Sequence, residues 1–213
     1  TAYNLEPNVK QSPGGLRDLQ TIGWVAKRHF GADTLQELAS HGFLTARELA
    51  QLQSAQSYLW RIRFALHLVT QRREDRLLFD HQIRLARMFG YEDATYTLAV
   101  EQFMQRYYRT AMFVSWLNEL LLQHFREEIL SDRNTPAMPL SRHFQERDDY
   151  LEVTGADVFL RYPSALLELF LVLQQNPALK GVRANPHRLV TQDLWLIDEE
   201  YRQSPRNHRL FLE

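Results

Sequence analysis

The sequence lacks cysteine altogether, and it contains only 8 glycines and 8 prolines among 213 residues. Without cysteine, neither disulfides nor thiolate-bound metals can hold the fold together. No apolar run approaches the ~20 residues that a membrane-spanning helix needs, and no signal-peptide pattern opens the chain. These absences are typical of a protein of the reducing cytoplasm, and we expect no membrane partner.

The sequence also lacks an excess of charge of either sign, with 25 Lys and Arg against 26 Asp and Glu. Proteins that bind nucleic acid through their surface charge are usually strongly basic, so we expect no nucleic-acid partner. Nucleophile-elbow, P-loop and His-Glu-x-x-His signatures are missing as well. The 8 histidines show no metal-ligand spacing, and we therefore predict no metal site formed by this chain alone.

Apolar residues recur at helical spacing through most of the chain and predict a mainly α fold. We predict helices over residues 16–30 and 35–40, and Thr45 with Glu48 forms a capping box that opens a first long helix. A short helix over about 81–89 and a second long one over about 97–130 follow. Two long amphipathic helices with short ones between them predict an antiparallel helical bundle over residues 16–130.

Beyond the second long helix the helical pattern stops. Residues 131–155 are predicted to be a connection, and the residues near 143–153 favour a small β-hairpin that turns at Asp148-Asp149. Residues 156–213 form a second helical part. Its helices are predicted over about 157–162, 163–175 and 186–203, and from residue 205 onward.

Residues 1–15 are predicted to form an extended loop that ends in a glycine turn. Gly14 and Gly15 permit backbone angles that other residues avoid and allow close approach of another molecule. The helix that follows places its N–H groups and its positive dipole end beside these glycines. With Lys10 and Arg17 nearby, the arrangement suits a phosphate. The alternative is a tight loop that simply enters a helix.

A second concentration of basic residues lies in the first long helix and just after it. Arg63 and His67 are neighbours on one helix face, at i and i+4, beside the apolar stripe. A partly covered arginine needs an anionic partner, which is either a carboxylate of this chain or a phosphate. In the second case, Arg63 or Arg76 would help to line an anion-binding groove together with the N-terminal loop.

Several long motifs resemble one known family. Residues 6–18 read Glu-Pro-Asn-Val-Lys-Gln-Ser-Pro-Gly-Gly-Leu-Arg-Asp, and residues 24–31 read Trp-Val-Ala-Lys-Arg-His-Phe-Gly. Later blocks read Leu-Trp-Arg-Ile-Arg-Phe-Ala-Leu-His at 59–67, Arg-Leu-Leu-Phe-Asp at 76–80 and Arg-Leu-Phe-Leu at 209–212. In this order and over nearly the whole chain, they resemble the bacterial PII uridylyltransferase / uridylyl-removing enzymes.

The resemblance implies part of a multidomain enzyme that uses Mg²⁺ and UTP to transfer UMP to a tyrosine of the PII nitrogen-signalling protein, and that removes it again. It implies that residues 1–15 adjoin an upstream nucleotidyltransferase core and that residues 156–213 lead towards a downstream His-Asp hydrolase domain. The Asp-x-Asp metal pair of the core and the histidines of the hydrolase do not occur in this sequence. We therefore expect the isolated chain to be inactive.

The related glutamine-synthetase adenylyltransferases carry a similar element, acidic-x-Lys followed by Gly-Gly-x-Arg-acidic. Carried over by position, this resemblance makes Lys10, Gly14, Gly15, Arg17 and Asp18 nucleotide- or phosphate-proximal. The lysine, the arginine and the loop amides would stabilise charge on the triphosphate, and the aspartate would orient the arginine.

A different class of function is an interaction scaffold that docks PII or couples the two catalytic domains without contacting nucleotide. The long amphipathic helices suit either class, whereas the clustered glycines and Arg17 favour the enzyme. Asn8 occupies a place where related proteins often have Asp, and an amide does not bring the negative charge of a metal ligand.

Overall fold

The computed structural model describes residues 4–130 and 135–212. Residues 1–3 of the predicted loop and residues 131–134 of the predicted connection lie outside this part. Within it the fold is mainly helical, with ten α-helices and a small four-stranded sheet. The predicted mainly α class is thus confirmed, whereas the antiparallel arrangement of the long helices stays a prediction. None of the described helices combines the length and apolar character that crossing a membrane requires.

The chain divides into two compact units, Thr1–Leu121 and Leu122–Glu213, and the division falls within the longest helix. The domain boundaries expected at residues 15, 130 and 155 stay a prediction. The first unit contains α1 (Leu16–Phe30), α2 (Leu35–Ser40), α3 (Ala46–Thr70), α4 (Phe79–Met88) and most of α5 (Ala99–Leu130). The second contains β1 (Met138–Pro139), β2 (Phe144–Arg147), β3 (Tyr150–Val153), α6 (Val158–Arg161), α7 (Ala165–Gln175), β4 (Gly181–Val182), α8 (Ala184–Asp193), α9 (Glu199–Gln203) and α10 (Pro205–Leu212).

Local signals set the ends of the helices in the first unit. Gly31 ends α1 in the left-handed conformation, with φ of 64°, and its N–H donates to Ala26 O. The predicted capping box at α3 is present, because Thr45 Oγ1 accepts from Glu48 N (3.2 Å) while Glu48 Oε2 accepts from Thr45 N (2.7 Å). Both helix boundaries therefore follow from residues that are close together in the sequence.

The predicted apolar stripes form the core of the first unit. In α1, Ile22 is buried, whereas its neighbour Gly23 is exposed. Leu49, Val69 and Val100, at the edges of the other stripes, are only half-buried. Fully buried members come from α1, α3 and α5 and include Leu16, Ile22, Leu52, Leu59, Ile62, Leu66, Phe103, Tyr107, Val114 and Leu117.

The predicted hairpin in the second unit is confirmed. β2 and β3 pair antiparallel, with Phe144 opposite Val153 and Arg147 opposite Tyr150. Asp148 and Asp149 form the turn with φ of 54° and 65°, the two positive values that a two-residue hairpin turn favours.

Two further strands extend the hairpin to the order β1-β2-β3-β4, in which β4 runs parallel to β3. Each added strand has only two residues, too few to show an alternating pattern. The buried core beneath the sheet includes Phe144, Leu151, Phe159, Leu166, Leu169 and Tyr201.

The helix predicted over residues 186–203 is wrong, because the structure divides that segment. α8 ends at Asp193, a short 3₁₀ turn covers Leu194–Leu196, and α9 begins after Asp198. Asp198 Oδ1 accepts from Tyr201 N (2.8 Å), so this carboxylate caps a new helix where the apolar pattern suggested a continuous one.

The capping box gives a first prediction. Thr45→Ala removes the acceptor of Glu48 N and should lower the free energy of unfolding by about 1 kcal/mol, measured by urea denaturation followed by circular dichroism. Thr21→Ala is the control, since Thr21 lies inside α1 and its hydroxyl only donates to Arg17 O. That change should stay within about 0.5 kcal/mol of the parent protein. Equal effects of the two substitutions would contradict the capping role.

Candidate functional site

The N-terminal loop is attached to the segment that follows α3. Val9 N donates to Asp75 O (2.8 Å) and Leu77 N donates to Pro7 O (2.8 Å), with Asn8 opposite Arg76 in a single antiparallel bridge. This short pairing satisfies backbone groups of both segments. The loop predicted to be extended is therefore a firmly attached part of the first unit.

Asn8 organises the turn that carries Lys10. Its Oδ1 accepts from the N–H groups of Lys10 (3.0 Å) and Gln11 (2.8 Å), and its own N–H donates to Ser12 Oγ (2.9 Å). A side-chain oxygen that accepts from the backbone two or three residues further on is a common way to fix a turn. In this chain Asn8 therefore has a structural role that an amide performs as well as a carboxylate.

The backbone N–H groups of the glycine turn and of the first turn of α1 all have acceptors within the chain. Gly14 N donates to Asp18 Oδ2 (2.7 Å), so the aspartate holds the glycine turn, and no hydrogen bond from it to Arg17 is observed in the described part of the chain. The remaining donor-to-acceptor pairs are Gly15 N to Ser12 O (2.8 Å), Leu16 N to Val9 O (3.0 Å), Arg17 N to Lys10 O (2.8 Å) and Asp18 N to Gly15 O (3.1 Å). A phosphate at a helix N-terminus needs N–H groups that are open to it, and here they are occupied.

Gly14 and Gly15 have packing roles that no larger residue could fill. Gly14 has φ of 75°, and a Cβ built on it would overlap the backbone of Ala111 in α5, lying 2.7 Å from its Cα. A Cβ on Gly15 would lie 2.7–2.9 Å from the carbonyl oxygens of Val9, Ser12 and Lys10. The two glycines thus allow the loop to fold on itself and to touch α5.

Lys10 and Arg17 are the cationic side chains of this loop and helix start. Lys10 is half-buried and Arg17 is exposed, and among the described residues neither makes a salt bridge. The hydrogen bond between Arg17 N and Lys10 O joins their backbones directly. The turn therefore brings the backbones of two cationic residues together.

Asp75 is the partner of Arg63, the arginine predicted to need an anion, and of its neighbour His67. Its Oδ1 lies 2.7 Å from Arg63 Nε and 3.1 Å from His67 Nε2, and all three side chains are less than one-third exposed. Burial raises the pKa of Asp75, but the hydrogen bonds and charges of Arg63 and His67 outweigh it and hold the pKa below its ordinary value. The anionic partner of Arg63 in the structure is therefore a carboxylate of this chain.

Arg76 differs from Arg63 in its surroundings. It is exposed, its backbone lies opposite Asn8, and its N–H donates to Glu74 Oε1 (2.9 Å). Of the two arginines predicted to line a groove, the structure thus brings Arg76 next to the N-terminal loop and places Arg63 in an internal ion pair.

Sequence reasoning missed two groups of polar residues. Asp75 was not singled out, although Arg63 and His67 on one helix face, followed by a carboxylate just past the helix, are a usable signal. The second group, His143 with Glu168, is joined across 25 residues at 2.8 Å, and no spacing rule relates its members. Within the described ranges no three His, Asp or Glu side chains gather as a metal site would require.

Known proteins resemble this chain over its whole length. Residues 1–122 match a family described as "GlnD PII-uridylyltransferase", and residues 144–213 match one described as "Uridylyltransferase GlnD third domain". Relatives named bifunctional uridylyltransferase/uridylyl-removing enzyme are 54% identical in Pseudomonas aeruginosa (strain LESB58), 52% in Ectopseudomonas mendocina (strain ymp) and 51% in Pseudomonas savastanoi pv. phaseolicola.

These alignments cover 100% of this chain but only 24% of each relative, so the chain spans about a quarter of the length of the curated relatives it matches. No solved structure matches it.

The contact of Gly14 with Ala111 predicts that alanine substitutions at Gly14 and at Gly23 change the free energy of unfolding in opposite directions. Gly14→Ala should lower the free energy of unfolding by about 2–4 kcal/mol, because the new Cβ meets Ala111 and the residue stays at positive φ. Gly23→Ala, inside α1 with open space around it, should raise the free energy by about 0.5–1 kcal/mol. Urea denaturation of both variants measures this, and a Gly14→Ala protein as stable as the parent would refute the packing role.

The Asp75 ion pair predicts a pH-dependent loss of stability. Asp75→Asn should cost about 1–3 kcal/mol at pH 7, because Arg63 loses a charged acceptor. A carboxyl whose pKa is lowered by folding stabilises the protein above its unfolded-state pKa, about 3.9, and this contribution disappears as the pH falls through the folded-state pKa.

The difference between Asp75→Asn and parent should therefore narrow in acid, as measured by urea unfolding over a series of pH values. Glu119→Gln, an exposed carboxylate in α5, is the control and should change stability by less than about 0.5 kcal/mol. A cost that persists unchanged below the folded-state pKa would mean that the charge of Asp75 is not what stabilises the fold.

Proposed function

Because the chain belongs to the GlnD PII-uridylyltransferase family, we propose that it is the helical region of a longer enzyme that transfers UMP from UTP to a tyrosine of the PII signalling protein and removes it again. The names of its relatives, which describe both activities, support this proposal. So does the agreement of both units with uridylyltransferase families. In this proposal the enzyme acts in the cytoplasm in the regulation of nitrogen metabolism.

The nucleotidyltransferase core and the His-Asp hydrolase would be other domains of the same polypeptide, and the chain by itself would be inactive. Mg²⁺ and UTP would be bound mainly by the core, where the metal would stabilise charge on the phosphates. The described residues of this chain do not fit a Mg²⁺ site, since they offer no cluster of carboxylates, and we derive no step through the metal.

Within that enzyme, we assign Lys10 and Arg17 to the edge of the nucleotide site. The observation that carries this assignment is the Arg17 N–H···O=C Lys10 hydrogen bond (2.8 Å) within a turn fixed by Gly14 and Asp18. Cationic groups that are already in place when charge develops stabilise a transition state without reorganisation. The glycines and the aspartate support this turn, and the two side chains supply the positive charge.

One observation favours the scaffold as a second candidate. The N–H groups of the glycine turn are occupied within the chain, and Gly14 packs on Ala111, which is what a purely structural turn would show. In that case the chain would dock PII or couple the catalytic domains, and the cations of the turn would not contact nucleotide.

Kinetics of the full-length enzyme separate the two candidates. Lys10→Ala and Arg17→Ala should each lower kcat/KM for UMP transfer to PII by about 10–100-fold, the loss expected for one charged hydrogen bond. Arg28→Ala is the matched control, since it removes an exposed arginine from the opposite end of α1.

Parent-like kcat/KM and UTP affinity in both Lys10→Ala and Arg17→Ala would refute the nucleotide-proximal assignment. Binding of PII to the 213-residue chain in a pull-down would then favour the scaffold. Folding of each variant is verified by circular dichroism, because the turn also holds the beginning of α1.

A further inference from the structure

The second unit contains a cavity that the proposed function does not use. Its volume is about 400 Å³, within the range of small-molecule sites. We call it the His143 cavity, and the polar residues that line it and matter below are Ser141, Arg142, His143, Tyr162, Glu168 and Arg206. Leu171, Val172 and Leu210 supply apolar walls.

His143 is held firmly at two sides of its ring. Its Nδ1 lies 2.8 Å from Glu168 Oε2, and the other oxygen of Glu168 accepts from Ser141 Oγ (2.9 Å). The imidazole stacks on the ring of Tyr162 at a centroid distance of 4.6 Å and an angle of 30°. A histidine positioned by a carboxylate on one nitrogen presents its other nitrogen in a fixed direction.

The second nitrogen of this ring lacks a partner. The side chain of His143 is only 6% exposed, and Nε2 is fully buried with no hydrogen-bond partner among the described residues. Leaving a buried polar atom without a hydrogen bond costs free energy, so a partner for Nε2 would stabilise this part of the cavity wall.

The surroundings argue against two kinds of chemistry. Ser141 donates to Glu168 and not to His143, so the hydroxyl-to-imidazole contact of a nucleophilic triad is missing. His143 and Glu168 have no third His, Asp or Glu ligand in the described part of the chain, so a metal site is not formed. Binding is therefore better supported than catalysis.

The charges of the cavity indicate the class of ligand. Each oxygen of Glu168 already has a partner within the chain, Ser141 for one and His143 for the other. Arg142 lies over Tyr162 at 5.1 Å and donates to its hydroxyl (3.3 Å). Arg206 is exposed and has no salt bridge within the described residues. Two guanidinium groups at one cavity favour an oxyanion.

We propose that the His143 cavity binds a small organic oxyanion, a carboxylate or a phosphate, through Arg206 and Arg142, beside the imidazole of His143. The apolar walls would contact the carbon part of the ligand. This site is separate from the turn of Lys10 and Arg17, and its existence does not depend on the proposed uridylyltransferase activity.

Imidazole NMR of the 213-residue chain tests the proposal with inorganic phosphate and with acetate as separate probes. His143→Gln identifies the His143 signal. At least one probe should shift that signal saturably below about 50 mM, and the Kd should rise at least tenfold in Arg206→Gln. Arg202→Gln, an exposed arginine of α9 that does not line the cavity, is the control and should keep the parent Kd.

Saturation by phosphate alone would identify a phosphate ligand, and saturation by acetate alone would identify a carboxylate. Absence of saturable shifts with both probes would overturn the proposal. Equal weakening in Arg206→Gln and Arg202→Gln would also overturn it, because it would show a general charge effect. Arg206 is exposed, so its substitution tests binding without disturbing the core, as circular dichroism can verify.

Discussion

The pairing of residues 7–9 with residues 75–77 is the constraint on which the first unit depends. Asp75 contributes to this pairing through its carbonyl, which accepts from Val9 N. Its carboxylate also contacts Arg63 and His67 of α3. One residue therefore joins the start of the chain to the end of α3. The loop before α1 has no regular secondary structure of its own, and its conformation depends on these long-range hydrogen bonds.

The same constraint changes how the glycine turn should be understood. Glycine turns that bind phosphate leave their N–H groups open to the ligand, whereas here the N–H groups of residues 14–18 donate to other atoms of the chain. Gly14 is required because it touches the backbone of Ala111. The cationic side chains of this turn are those of Lys10 and Arg17, whose backbones are joined by a hydrogen bond.

The second unit contains two polar clusters of different character. Arg183 makes ion pairs with Asp148 (2.8 Å) and Glu152 (3.0 Å), which tie the hairpin to the segment after β4. That cluster joins opposite charges within the chain, as a structural network does. The cluster of His143 and Glu168 differs because its residues line a cavity.

Much of the local structure could be predicted from the sequence, because the determining residues are near neighbours. Thr45 and Glu48 open α3, Gly31 ends α1, and Asp148-Asp149 turn the hairpin, each through contacts within a few residues. The division of the predicted helix over residues 186–203 was missed, because the apolar pattern continues across the cap that Asp198 provides.

For the candidate sites, the sequence by itself determined which chemical groups are present: two glycines, two cations, and an arginine that needed an anion. Only the tertiary structure decided how they are used. The contact of Gly14 with Ala111 and the pair of His143 with Glu168 join residues far apart in the chain, and the choice of Asp75 over a phosphate as the partner of Arg63 depends on where the chain turns after α3. Periodicity and spacing describe neighbours along one element, whereas these contacts arise from the packing of different elements.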